Sequence, residues 1–224
     1  MNTQAIRILF LKDLFLSRYF LFGYLAGAIA SGILTCLPFK AMSEIGFILM
    51  ITVTIASGIH MIGLLMLGDS TEQTRAFVLS LPVSALDYSV SKIAVVLCTF
   101  LIPWSLMLGI ATMGSFMLPS AKAGVVVVLP VIFSFLLCGF TLQLVCAVIT
   151  DSVGWTIGVV VAGNVAFNLF ILNFNADPTI SEAMKSQTVT WPPLVLQVLL
   201  IEWFVIIGAI ALALYIQTHK RDLV

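Results

Sequence analysis

Six stretches of apolar residues, each about twenty to twenty-five long and separated by more polar breaks of unequal length, constrain this chain more than any other feature. They cover residues 19–37, 45–67, 93–117, 125–149, 153–172 and 192–215. A hydrocarbon core about 30 Å thick is crossed by about 20 helical residues. Backbone groups left unpaired in lipid cost several kcal/mol each, so only helices or closed barrels cross it. The runs lack the strict alternation of barrel strands, and helices are the expected form. Composition agrees: 61% of the 224 residues are hydrophobic and 9% are charged, with a mean hydropathy of +1.18. The expected fold is all-α, a polytopic membrane protein with six transmembrane helices in a single domain over 1–224. Formal net charge is zero, so overall charge suggests no nucleic-acid partner; membrane lipid is the expected surrounding.

Lysines and arginines near the span ends set the expected orientation. Arg7, Lys12, Arg18, Arg75, Lys92, Lys220 and Arg221 fall on one side, Lys40, Lys122 and Lys185 on the other. By the positive-inside rule both termini are cytoplasmic. The segment 68–92 is then a cytoplasmic loop, 150–152 a tight cytoplasmic turn and 173–191 the main external segment. Residues 1–17 are too charged for a span and too apolar for a solvated tail, so a helix lying at the inner membrane surface is expected there. The N-terminus offers no clean signal-peptide pattern and is expected to be retained. In the external segment, Asp177 followed by Pro178 is an N-cap and first-turn pair that predicts a short helix.

The loop 68–92 carries its own punctuation. Ser70 with Gln73, overlapped by Asp69 with Glu72, is a capping-box pattern that starts a helix near Thr71. Pro82 ends it, because the residue before a proline is pushed out of helical geometry. Ser84, three residues before Asp87, starts a second helix that runs through Lys92 into the third span. On the first helix Phe77, Val78 and Leu81 offer an apolar side, while Glu72, Gln73 and Arg75 offer polar contacts. This loop helix reads either as a surface element folded onto the membrane or as a docking point for a soluble protein.

The stretch "LSLPVS" (79–84), preceded by Glu72 and Phe77 and followed by Tyr88 and Ser91-Lys92, resembles the cytoplasmic loop of the ATP-binding-cassette type 2 exporter permeases. Leu11-Lys12-Asp13-Leu14 is similar to the "LKDL"-type opening of their small six-span group. The resemblance implies a coupling helix seated on a separate cytoplasmic ATPase in two copies, with Glu72, Gln73, Arg75, Phe77, Val78 and Leu79 as contacts. It implies a second permease chain, identical or different, and export of an amphipathic or hydrophobic cargo, with a peptide favoured over a lipid or drug. It also implies a bacterial inner or plasma membrane. The chain has no Walker-A motif, so it is expected to be a permease rather than an enzyme and to bind no cofactor. ATP and Mg would belong to the partner ATPase. A membrane scaffold or sensor that recruits a cytoplasmic protein is the alternative.

Within the spans, His60, Asn164, Asn168 and Glu202 are candidates for a transport path. An ionised carboxylate at the depth of Glu202 costs on the order of 3 kcal/mol, so it faces protein or water, or is protonated. It reads equally as a structural carboxyl bonded across the bundle. His60 reads first as an interhelical hydrogen bonder, and Asn164, Asn168 and Gln143 as interhelical glue. No metal site is expected. Gly23 with Gly27, and Gly154 with Gly158, put small residues on one face of the first and fifth spans. The resemblance makes these faces a dimer interface, while contact within one chain fits the spacing equally. Cys36, Cys98, Cys138 and Cys146 read as small apolar residues.

Overall fold

The computed structural model describes residues 3–68, 85–117 and 124–219. They form seven α-helices, α1 Thr3–Thr35, α2 Lys40–Ile62, α3 Ala85–Met117, α4 Val125–Thr150, α5 Val153–Ala176, α6 Pro178–Lys185 and α7 Pro193–His219, with a π-helical turn Gly63–Leu67 extending α2. No strand occurs among the described residues, and six of the helices are long and apolar enough to cross a membrane. The chain is therefore a multi-pass helical membrane protein.

Helix α4 organises the bundle. It packs along α7 and α5 and also touches α2, α3 and α6, and nearly every residue from Val126 to Val148 that faces a neighbour is buried. Against it, α7 presents Val195, Glu202, Ile206, Ala209 and Ala213, steps of seven, four, three and four residues that form a continuous stripe down one helix face. The opposite faces carry large exposed apolar side chains such as Phe204, Leu200 and Trp155, which hydrocarbon solvates and water does not.

Helix α1 packs along α3 and α2. Two glycines make the contacts close: a Cβ on Gly32 would lie 2.6 Å from Ile110 Cγ2, and one on Gly46 would stand on the Thr35 amide nitrogen. Residues 3–35 are one continuous helix. The separate interfacial helix expected over 1–17 is thus not a separate element. Nothing between Ser17 and Tyr19 breaks a helix, and a 33-residue helix is about 50 Å long, well beyond the apolar thickness it must cross.

Helices α4 and α5 meet at Asp151, whose φ of 49° is left-handed and whose amide donates to Ala147 O at 3.0 Å. Aspartate tolerates this conformation better than most side chains. Pro103 and Pro130 both lie inside helices that continue past them.

At the far end, α6 starts as its cap pattern predicts. The Asp177 carboxylate accepts from the Thr179 amide at 2.8 Å and from its hydroxyl, with Pro178 in the first turn. Ile180 and Ala183 are buried, and Gly124 makes their seat: its amide donates to Ser186 O at 3.2 Å, and a Cβ there would stand on the Ala183 carbonyl. The Thr179 donors hold the Asp177 carboxyl below its ordinary range. A depressed acid stabilises the fold above the unfolded pKa of about 3.9 and loses that contribution as pH falls through the lower folded value. Amide exchange corrected for its intrinsic pH dependence is expected to show protection of residues 178–185 fading below about pH 4 in the wild type. In Asp177→Asn the protection should be flat with pH.

Candidate functional sites

Charges placed inside an apolar bundle need partners, and one cluster supplies them. Leu9, Asp13 and Ser17 follow at helical spacing on the buried side of α1, while Ser91 and Lys92 are buried on α3. Lys92 Nζ lies 3.2 Å from Asp13 Oδ2, with both side chains at most 5% exposed. The ammonium donates its well-formed hydrogen bond to Leu65 O at 2.9 Å. Leu65 sits in the π-helical turn, where the ordinary pairing of carbonyls is shifted. The Asp13–Lys92 contact is a charge contact, since Oδ2 accepts no aligned hydrogen bond among the described residues. Lys12 Nζ, half-exposed, adds a 3.3 Å contact to Oδ1, Ser91 Oγ donates to Ile6 O at 3.3 Å, and Lys92 lies 5.6 Å from the Tyr88 ring centre. The knot ties α1, the end of α2 and the start of α3 together.

Asp13 and Lys92 were legible only as charged residues within two short motifs; what joins them is a long-range contact that local spacing does not encode. The expected contacts Glu72, Gln73, Arg75, Phe77, Val78 and Leu79 lie outside the described residues.

The four candidate path residues do not converge. His60 Nδ1 is 2.9 Å from the Tyr24 hydroxyl, and the ring meets Phe20 edge-on at 4.5 Å. It joins α2 to α1, as an interhelical hydrogen bonder should. Asn164 and Asn168 are exposed, and each Nδ2 donates to its own helix, to Val160 O and Asn164 O. They are not the interhelical glue expected of them. The asparagine amide reaches the carbonyl four residues back more readily than a helix that is not packed on that side. Glu202 is 6% exposed and both carboxyl oxygens are buried without a hydrogen-bond partner among the described residues. It therefore pairs neither with His60 nor across the bundle, and it faces Cys138 of α4 within electrostatic reach. It lies about 14 Å along α7 from Pro193, deep in the apolar layer.

The glycine faces divide. A Cβ on Gly27 would meet Val53 of the same chain at 3.4 Å, whereas one on Gly23 or Gly158 would meet nothing within 4 Å and one on Gly154 would meet only Ser152 Oγ at 3.8 Å. Helix α5 is nearly bare, with Thr156 and Phe174 its buried residues. The four cysteines are free. No cluster of three metal-ligating side chains occurs among the described residues.

One groove opens between α2, α3, α4 and α5, with an empty volume of ≈ 420 Å³. Phe100 and Phe140 stack across it with centroids 3.8 Å apart, and Phe135 and Phe167 form its other wall. Gly58 permits the stack to approach α2, since a Cβ there would lie 2.9 Å from Phe140. Gly139 and Gly163 line the opening and leave it unfilled.

Comparison with protein-family models, curated proteins and solved structures finds no match to this chain.

Proposed function

We propose that the chain is the transmembrane permease subunit of an ATP-driven exporter, driven through segment 68–92 by a separate cytoplasmic ATPase. The supporting observation is the Asp13–Lys92 pair. It joins two of the short motifs that carry the resemblance to the type 2 exporter permeases, Leu11–Leu14 and Ser91–Lys92; the stretch 79–84, which carries most of it, lies outside the described residues. A force applied to the loop would reach α1 and α2 through this knot as well as α3 along its own axis. On this reading both termini are cytoplasmic and two permease chains form the working unit. The unpacked surface of Gly154 and Gly158 on α5 would serve as a contact between chains. Small residues there let helix backbones approach closely, and dispersion then holds them.

The test is hydrolysis. The chain is reconstituted with candidate ATP-binding-cassette ATPase subunits from its own host, and ATP turnover is compared with each ATPase alone. The expected result is stimulation by the wild-type chain and its loss, by about tenfold, in Phe77→Asp, since an ionised side chain cannot enter an apolar seat without a cost of several kcal/mol. Equal turnover with and without the chain would contradict the proposal. Stable association with no effect on turnover would favour a recruiting scaffold.

A further inference from the structure

The geometry points to a binding site, in the groove between α2, α3, α4 and α5, for a small neutral amphiphile that carries an amide within an apolar body. The groove is open on one side and its empty volume of ≈ 420 Å³ includes the space in front of it, so a ligand would seat its polar group between the helices and leave part of its apolar body in the surrounding hydrocarbon. Its walls are the phenylalanines already described. Its polar groups are Gln143 of α4, Asn164 of α5 and Thr54 of α2. The Thr54 hydroxyl is satisfied by Met50 O at 2.8 Å and Met107 Sδ at 3.2 Å. Gln143 is different: it is 8% exposed, lines the groove, and its amide makes no hydrogen bond to another described residue. Asn164 commits one N–H to Val160 O, which leaves its Oδ1 and second N–H to the groove.

An unpaired amide in an apolar surrounding costs about 1–3 kcal/mol by protein mutational measures, and here water is scarce. Ordinary phospholipid does not relieve it. Asn164 has about 17 Å of α5 on either side, which places it near the bilayer midplane, whereas phospholipid polar atoms lie about 15 Å from that plane. An acyl chain would fill the space and leave both amides unpaired. A ligand that brings its own donor and acceptor to that depth fits. It is neutral, because no charged side chain lines the groove and an ion at that depth is expensive. An amide is the complementary group, since it offers one face of donor and acceptor to Gln143 and another to Asn164.

The site does not rest on the transport reading, and its test uses neither ATP nor a partner. The purified chain in phospholipid nanodiscs is photolabelled with lauramide bearing a mid-chain diazirine, and adducts are mapped by peptide mass spectrometry. Expected are adducts concentrated in residues 135–143 and 163–167, displaced by excess lauramide but not by dodecane or laurate. Gln143→Leu should reduce them about tenfold, the effect of losing one buried hydrogen bond. Gly139→Leu, which fills the groove from a position with open space around its Cβ, should do the same without touching either amide. Adducts spread evenly over the lipid-facing helices, or competition by dodecane as strong as by lauramide, would overturn the site. So would labelling unchanged in both variants, or protection of the groove by a second copy of the chain.

Discussion

Removing either charge of the buried pair is expected to destabilise the protein by about 3–5 kcal/mol, because the survivor is left uncompensated in an apolar interior. Asp13→Ala and Lys92→Met are the two single variants. Either should lower the midpoint of thermal unfolding in detergent by on the order of 10 °C. The double variant Asp13→Leu/Lys92→Met should recover most of that loss, since a well-packed apolar pair is often as stable as a buried ion pair or more so. Losses that simply add in the double variant would show that the two charges act on other partners. Lys12→Ala is the internal control. Its side chain is 49% exposed, and a half-solvated pair contributes about 1 kcal/mol or less. If the knot also carries movement between the loop and α1, the double variant should regain its stability and not its coupling to hydrolysis.

Glu202→Met is expected to stabilise the protein by about 1–4 kcal/mol, an unusual direction for a core substitution. The carboxyl has no hydrogen-bond partner for either oxygen among the described residues and interrupts an otherwise apolar stripe between Val195 and Ala213. Methionine keeps the length and flexibility of the side chain and removes the two oxygens. A rise of several degrees in unfolding midpoint is the expected reading. A fall would mean that the carboxyl is held by a group the bundle supplies in another conformation. Natural sequences keep such costly groups at functional positions, so on the permease proposal transport should be lost in Glu202→Met even as stability rises. A more stable variant with unimpaired transport would make the carboxyl functionally idle.

The six spans were readable because their requirement is one of length: twenty apolar residues in helical form announce themselves whatever their neighbours do. Helix α6 was readable for a local reason, since Asp177 and Pro178 satisfy the first turn by themselves. Long-range pairing was not readable. The charges in residues 7–18 looked like the boundary of a surface helix, yet Asp13 is on the buried face of a continuous helix because Lys92 neutralises it from another span. Similarly, Asn164 and Gln143 looked like glue between helices, and their polar character said nothing about whether a helix would be there to receive them. Gly139 and Gly163 line the groove. The groove exists because these two face open space while Gly58 faces a phenylalanine stack, a distinction that only the packed arrangement makes.

The most direct measurement of the central claim places a photoreactive phenylalanine analogue at position 77 in the chain co-expressed with the ATPase subunit that the permease proposal requires. Irradiation should join the two polypeptides through that position, with the link weakened in the Asp13→Ala background. A complex that forms and hydrolyses ATP while position 77 links only to lipid, or to another part of the same chain, would contradict it.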